Sequence, residues 1–444
     1  MLGQAIIGIA AVGLALPGAS AQNCSSLTPV AEPVVAEGYE ARVILNNLKS
    51  PRHLVVDGEG NLLVVQQGGV GISRVVLEET ADGKVCVASN DVLISDAALN
   101  HGIALTPDGS TLFVSKPSSV EAYPYDAATG TVDAEGKKTV IGGMASTGHI
   151  TRSLLVPAAA PDLLFVTRGS NANIDNGTTD AATARSILKA FNITELLGQA
   201  EPVDYAAGGE IVGWGLRNSV GLGEDPATGG IWTVENSADE VHRSGVDLHN
   251  ENPGEELNYH GVAGDAANAL LGANYGYPVC FAAWATGDIP EGGGVTVGSQ
   301  FGGVDGTPFE EVVASASRAA APALPEIDAF CRAERQGPRL VFPAHTAPLD
   351  VRFKADGSAA FVTFHGSWNR DPPDGYRLGR IEFSNGQPVA EVSDTEAINY
   401  IVRNQDNAQC PGDCFRPVGL AFDAKGRLYM TSDATGELFV ITGA

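Results

Sequence analysis

The chain has 444 residues with 53 acidic side chains against 27 basic ones. The resulting formal charge of −26 argues against nucleic acid or an anionic membrane surface as a partner, since either would repel it. Forty-four per cent hydrophobic residues and 54 glycines bound the class to a globular, turn-rich protein and exclude a disordered one.

The first element is a leader. Ala5 to Leu16 are apolar, Pro17 follows, and Ala19-Ser20-Ala21 offers a small-residue cleavage site before Gln22. Residues 1–21 therefore read as a secretory signal peptide and residues 22–444 as one mature, extracellular domain, although the only positive charge ahead of the apolar run is the α-amino group. That run is shorter than the roughly 20 residues a bilayer crossing needs, and no other segment approaches this length, so no membrane span is expected.

All six cysteines (Cys24, Cys86, Cys280, Cys331, Cys410 and Cys414) follow the cleavage site. An even number in an exported chain predicts three disulfides. Sequence does not dictate their connectivity; the expectation is pairing of neighbours in order, with Cys410 and Cys414 closing a loop across Pro411-Gly412-Asp413. A metal site at that last pair is the competing reading, and an oxidising compartment disfavours it. Sequons at Asn23, Asn176 and Asn192 mark surface loops open to glycosylation.

Residues 39–48 (YEARVILNNL) predict a strand, and after it one phrase recurs six times: apolar residues, a polar turn, then apolar alternation. The phrases are RHLVVDGEGNLLVVQQ from Arg52, HGIALTPDGSTLFVSK from His101, RSLLVPAAAPDLLFVTR from Arg152, NSVGLGEDPATGGIWTVEN from Asn218, LDVRFKADGSAAFVTFHG from Leu349 and RPVGLAFDAKGRLYMTSD from Arg416. Each is two short strands around a Gly/Asp turn. Further strands such as ISRVVL, LGRIEF and ELFVIT follow most of them. Six such units without βα alternation predict an all-β fold, a six-bladed β-propeller, with the strand at residues 39–48 completing the last blade. The longer interval between Asn218 and Leu349 predicts an insertion, in which EGGGVTVGSQFGGVDG is turn-rich loop.

Polar residues recur at one place in the repeat. Arg52 and His149 lie just before phrases one and three, Arg217 and Asn218 at the start of phrase four, His345 just before phrase five, and Arg416 at the start of phrase six. Singly, each suits a blade-edge residue; scattered surface residues would not share one position in the repeat. Arginines converging on a central channel suit a planar ligand bearing several carboxylates. A histidine beside them suits a general base. HGSWNR, from His365 to Arg370, places another histidine after a blade strand, and Trp368 reads either as a sugar platform or as a packed blade-edge residue.

The strings WGLRNSVGL, GEELNYHG, GANYGYP, HGSWNR and RPVGLAFD resemble the glucose/sorbosone dehydrogenase family over nearly all of the mature chain. Together with GHITRSLL, VTRGSNAN and ENSADEVHR they are most similar to the fungal pyrroloquinoline quinone-dependent pyranose dehydrogenases of auxiliary activity family twelve. The resemblance implies a six-bladed propeller that oxidises sugars with pyrroloquinoline quinone and calcium. It makes His149 the base that takes the hydroxyl proton and Arg217 the group that polarises the quinone oxygen receiving the hydride. Asn218 would hold the cofactor, with Asn236, Arg416, Arg52 and His345 as further contacts, and the main-chain carbonyls of Ser237 and Ala238 would bind calcium. Two departures stand out. Ser170 occupies the place of the acid that orients the base in bacterial glucose dehydrogenases, so His149 is held either by another carboxylate or by a hydroxyl or main-chain group. The lysine those enzymes place on the cofactor has no clear equal, and the neighbourhood of His365 takes its region.

No Cys-x-x-Cys-His haem string occurs, so electrons are expected to pass to a separate acceptor, a cytochrome-type protein or a diffusible quinone. Two other readings compete with the sugar dehydrogenase. A calcium-dependent lactonase or hydrolase propeller would bind its metal through channel carboxylates and amides, whereas these channel-edge positions carry Arg and His. A non-catalytic carbohydrate-binding propeller would need neither His149 nor a cofactor.

Overall fold

The computed structural model describes residue 24, residues 27–309 and residues 322–443. The predicted signal peptide and the Asn23 sequon lie outside them. Each of the six phrases forms the two innermost strands of an antiparallel blade. In blade one, Pro51–Val56, Leu62–Gln66, Gly71–Glu79 and Val85–Ser95 are neighbours in sequence order. Its first turn works because Asp57 Oδ1 accepts the amides of Glu59 and Asn61 while Gly60 sits at φ 81°, a conformation that would strain any residue with a Cβ.

The innermost strands of the next five blades are Ile103–Leu105, Leu154–Leu155, Ser219–Asp225, Pro348–Phe353 and Pro417–Phe422. Each packs against the innermost strand of the following blade, and the sixth packs against the first, so the ring closes. The fold is the predicted six-bladed β-propeller. As expected, the strand Glu40–Leu45 pairs antiparallel with Glu437–Thr442 and supplies the outer strand of blade six, covering the edge that Glu437–Thr442 would otherwise expose.

The alternation in the phrases has a direct physical use. Leu62 and Val64 enter the apolar layer shared with blade six, while Leu63 and Val65 enter the layer shared with blade two. Side chains on a strand point alternately to its two faces, and a blade wedged between neighbours buries both. Every adjacent pair of blades has its own such layer; the largest side chains, including Trp232, Phe353 and Phe383, fill the one between blades four and five.

The predicted insertion falls within blade four, between Glu255–Val262 and Leu340–Phe342. It contains the pairing of Phe281–Ala282 with Gln300–Phe301 and the helix Leu324–Glu334. Its glycine-rich stretch is turns and irregular loop around the short strand Gln300–Phe301. The Cys280–Cys331 bond and the buried Arg243–Asp328 ion pair, at 3.0 Å, fasten the helix to the insertion's hairpin and to blade four. Cys24–Cys86 and Cys410–Cys414 complete the disulfides, all paired as expected. No helix among the described residues is long and apolar enough to cross a membrane.

Candidate functional site

One mouth of the channel opens into a cavity of about 370 Å³. His149, Arg52, Asn218, Asn236, Ser237, His345 and Arg416 all line it, so the loops bring together most of the residues singled out by the repeat. Two of them stand back. Ala238 is fully buried behind Ser237, and Arg217 is 4% exposed, with its guanidinium beneath the cavity wall. Arg217 donates to Asn173 O (3.0 Å), Asn236 O (3.1 Å), Asn173 Oδ1 (2.9 Å) and Asp239 Oδ2 (2.9 Å). Four of its five N–H groups are thereby committed.

His149 resolves the question raised by Ser170. Its Nδ1 lies 2.9 Å from Ser170 Oγ and 3.2 Å from Ser170 O. Ser170 Oγ donates its own proton to Ala172 O at 2.7 Å, and a carbonyl can only accept. Nδ1 therefore carries the imidazole proton and Nε2 keeps its lone pair. A hydroxyl and a main-chain group orient this histidine, the second of the two alternatives. Burial, aided by the charge of Arg217, pushes its pKa down to about 4 against the opposing pull of the Ser170 carbonyl and Asp239. The ring is neutral at ordinary pH and able to accept a proton.

His345 has the opposite character. Both ring nitrogens face acceptors, Nε2 the carbonyl of His249 and Nδ1 the Asp239 carboxylate at 3.5 Å. Burial opposes its proton, but Asp239, Glu255 and that carbonyl prevail and raise its pKa. Arg52 pairs with Asp433 at 2.8 Å, while its buried Nε has no partner among the described residues. Arg416 donates only to the carbonyls of His365 (3.0 Å) and Gly366 (2.9 Å) and has no carboxylate partner among the described residues. A cation left in this state is suited to an anionic ligand.

Sequence reasoning missed three acids here. Asp239, two residues past Ser237, joins Arg217 to His345. Asp433, at the end of the sixth phrase, holds His365 Nε2 at 2.8 Å as well as Arg52. Glu255 lines the cavity and accepts the amides of Ser237 (2.6 Å) and Ala347 (3.2 Å); burial pushes its pKa up to about 7. In the sequence their places at strand ends read as ordinary turn and strand-edge residues, so nothing there marked them. Trp368 is 71% exposed on the cavity rim, which removes the packed reading. Among the described residues no group of three or more His, Cys, Asp or Glu side chains could hold a metal. A second cavity of about 400 Å³, lined by Arg352 and the turns at residues 55–58 and 105–109, contains none of these groups.

Comparison with known proteins follows the same line. Residues 33–444 match the TrAA12-like family model. A pyrroloquinoline quinone-dependent sugar dehydrogenase of Hypocrea jecorina is 43% identical over 426 residues, covering 95% of this chain and 93% of that one. The calcium structure of the Trichoderma reesei protein of carbohydrate-active enzyme family AA12 superposes with a TM-score of 0.87 at 43% identity, covering 95% of this chain and all of that one. A pyrroloquinoline quinone-dependent pyranose dehydrogenase of Coprinopsis cinerea is 34% identical across 92% of this chain, which spans only 54% of that longer protein. The holo form of a pyranose dehydrogenase quinone domain from that organism has a TM-score of 0.82 at 32% identity, covering 94% of this chain and 98% of that one.

Proposed function

The chain belongs to the TrAA12-like family, and from that premise we propose that it is a secreted quinoprotein dehydrogenase oxidising pyranoses or ketoaldoses at the anomeric carbon. The observation that carries this reading is the pairing, in one cavity, of a neutral histidine whose Nε2 is free with an arginine that has no carboxylate partner, both among the described residues.

The residues fit both groups the reading requires. Pyrroloquinoline quinone is planar and carries three carboxylates. Arg416, the buried Nε of Arg52, His345, whose hold on its proton Asp239 and Glu255 strengthen, and the Asn218 carboxamide, which makes no side-chain hydrogen bond among the described residues, would hold it, with Asn236 beside them. No donor among the described residues reaches the carbonyls of Ser237 or Ala238, which leaves those oxygens for calcium, a cation that takes carbonyl and carboxylate ligands. When bound, the quinone accepts the hydride and calcium, as a Lewis acid, stabilises the negative charge that develops.

The protein's part is proton handling and orientation. His149 Nε2 accepts the hydroxyl proton of the sugar, and Ser170 keeps the ring in the competent tautomer. Arg217 would polarise the quinone oxygen from beneath the cavity wall, through the one N–H left uncommitted among the described residues. Residues 1–21 are removed on export, residues 22–444 act as one domain, and the electrons leave to a cytochrome-type protein or a diffusible quinone.

Titrating the apoprotein with pyrroloquinoline quinone in calcium and then in chelator, with a panel of aldoses and ketoaldoses and a reducible dye, tests the proposal. The expected result is calcium-dependent binding at micromolar cofactor or below and sugar-dependent dye reduction. Absence of binding at micromolar cofactor would overturn it. A second expectation concerns pH. The base works only when unprotonated, so with a pKa near 4 the rate of sugar-dependent cofactor reduction should hold through pH 5 and fall only as the pH approaches 4. An acid limb at the ordinary histidine value near 6.5 in the pH profile would identify a different base.

A further inference from the structure

We propose that Arg152, assisted by Arg168, is a positioning residue that fixes the loop bearing His149 so that the imidazole meets the substrate hydroxyl. This rests on the reading of His149 as the base. The segment from Met144 to Ser153 contains no helix or strand, so its carbonyls must find donors elsewhere. Arg152 is 0% exposed and supplies several of them. Its NH1 donates to His149 O (2.9 Å) and Thr151 O (2.7 Å), and its NH2 donates to Met144 O (2.7 Å). Arg168, 7% exposed, donates to Ala145 O at 2.9 Å and anchors the same fork to Ala184 O at 3.2 Å. Neither guanidinium has a carboxylate partner among the described residues.

Burying a cation without a counter-charge is costly and is tolerated only where strong acceptors surround it. Two such cations side by side repel one another as well. A loop that only had to be filled would be served by an apolar side chain. A planar fork with several donors can instead clamp carbonyls five residues apart, those of Met144 and His149, across the base of the loop. On the far side, His149 N donates to Ser170 O at 3.0 Å and Nδ1 meets Ser170, so the histidine is gripped at its carbonyl, its amide and its ring. The charges near the ring are Arg217 and Arg152 on one side of the balance and Asp239 on the other.

The test compares wild type, Arg152→Lys, Arg152→Met and Arg168→Met as holoenzymes, each also in a His149→Ala background. Rapid-mixing measurement gives the rate of cofactor reduction by saturating sugar, and spectroscopic titration gives cofactor affinity. Arg152→Met is expected to slow reduction at least about tenfold, a shortfall typical of a displaced reacting group, with cofactor affinity within about twofold of wild type. Arg152→Lys keeps the charge but loses the fork and should lie between the two. In the His149→Ala background, Arg152→Met should cost nothing further, because positions acting through one group are not additive. With one cation gone, the acid limb should move up in Arg152→Met and stay in place in Arg152→Lys. If Arg152→Met fails to fold, the same comparisons made with Arg168→Met and Arg152→Lys decide the question. Equal losses with and without His149, or a parallel fall in cofactor affinity, would overturn the proposal. Failure of wild type to bind cofactor would overturn the dehydrogenase reading instead, so the two failures are separable.

Discussion

Replacing His149 with alanine is expected to lower the rate of sugar-dependent cofactor reduction by about 10²- to 10⁴-fold, the usual cost of losing a positioned general base. Cofactor affinity should change little. The groups assigned to the cofactor are Arg52, Arg416, His345 and Asn218, and none of them hydrogen-bonds to the His149 ring, whose partners are Ser170 Oγ and O. Loss of rate without loss of binding is the signature of a group used in the chemical step. Ser170→Ala should cost less than His149→Ala, because the Ser170 carbonyl remains to take the Nδ1 proton. Rapid mixing with saturating sugar measures the first quantity and spectroscopic titration the second. If His149→Ala reduces the cofactor at the wild-type rate, another group takes the proton, and His365, held by Asp433 in the same cavity, is the one to replace next. A non-catalytic propeller would show no sugar-dependent reduction in either protein.

The fold was legible because the propeller writes the same two-strand instruction six times. Alternation such as Leu62, Leu63, Val64, Val65 buries both faces of a strand, a pattern that periodicity alone leaves ambiguous for one segment but that repetition decides. The basic side of the site was legible for the same reason: Arg52, Asn218 and Arg416 each occupy the entry of an innermost strand. Its acidic side was not. Asp239 and Asp433 lie at the exits of second strands, where aspartate is the ordinary turn residue and so carries no signal in sequence. Glu255 opens a strand, Glu255–Val262, where a charged residue would normally count against burial. The standing of Arg217 was equally invisible, because only the fold brings Asn173 and Asp239 to its guanidinium.

The channel interior carries the largest expected stability effect. Arg352 on the innermost strand of blade five donates to Leu222 O of blade four (2.7 Å) and Leu420 O of blade six (3.2 Å), and it touches His53 of blade one. It also pairs with Asp350 at 3.1 Å. Asp350 is 1% exposed and further accepts the Leu420 amide at 2.8 Å, with His53 Nε2 at 3.0 Å. One ion pair therefore spans four blades. Burial first, and then the charge of Arg352 against the pull of Asp350, lower the pKa of His53. Arg352→Met should leave Asp350 buried and uncompensated and cost about 3–5 kcal/mol, the range for breaking one half of a buried pair. Denaturant unfolding at pH 7 measures it. The pH dependence has a definite sign. In the wild type the lowered His53 pKa contributes stability that is present above the unfolded value near 6.5 and lost as the pH falls. In the variant the cation that depressed it is gone while Asp350 remains, so His53 can take a proton in the fold. The deficit should therefore be widest at pH 7 and narrow toward pH 5. Asp350→Asn combined with Arg352→Met should recover part of the loss, since no lone charge is then buried. A deficit below about 1 kcal/mol at every pH would mean that the apolar layers between the blades close the ring without this pair.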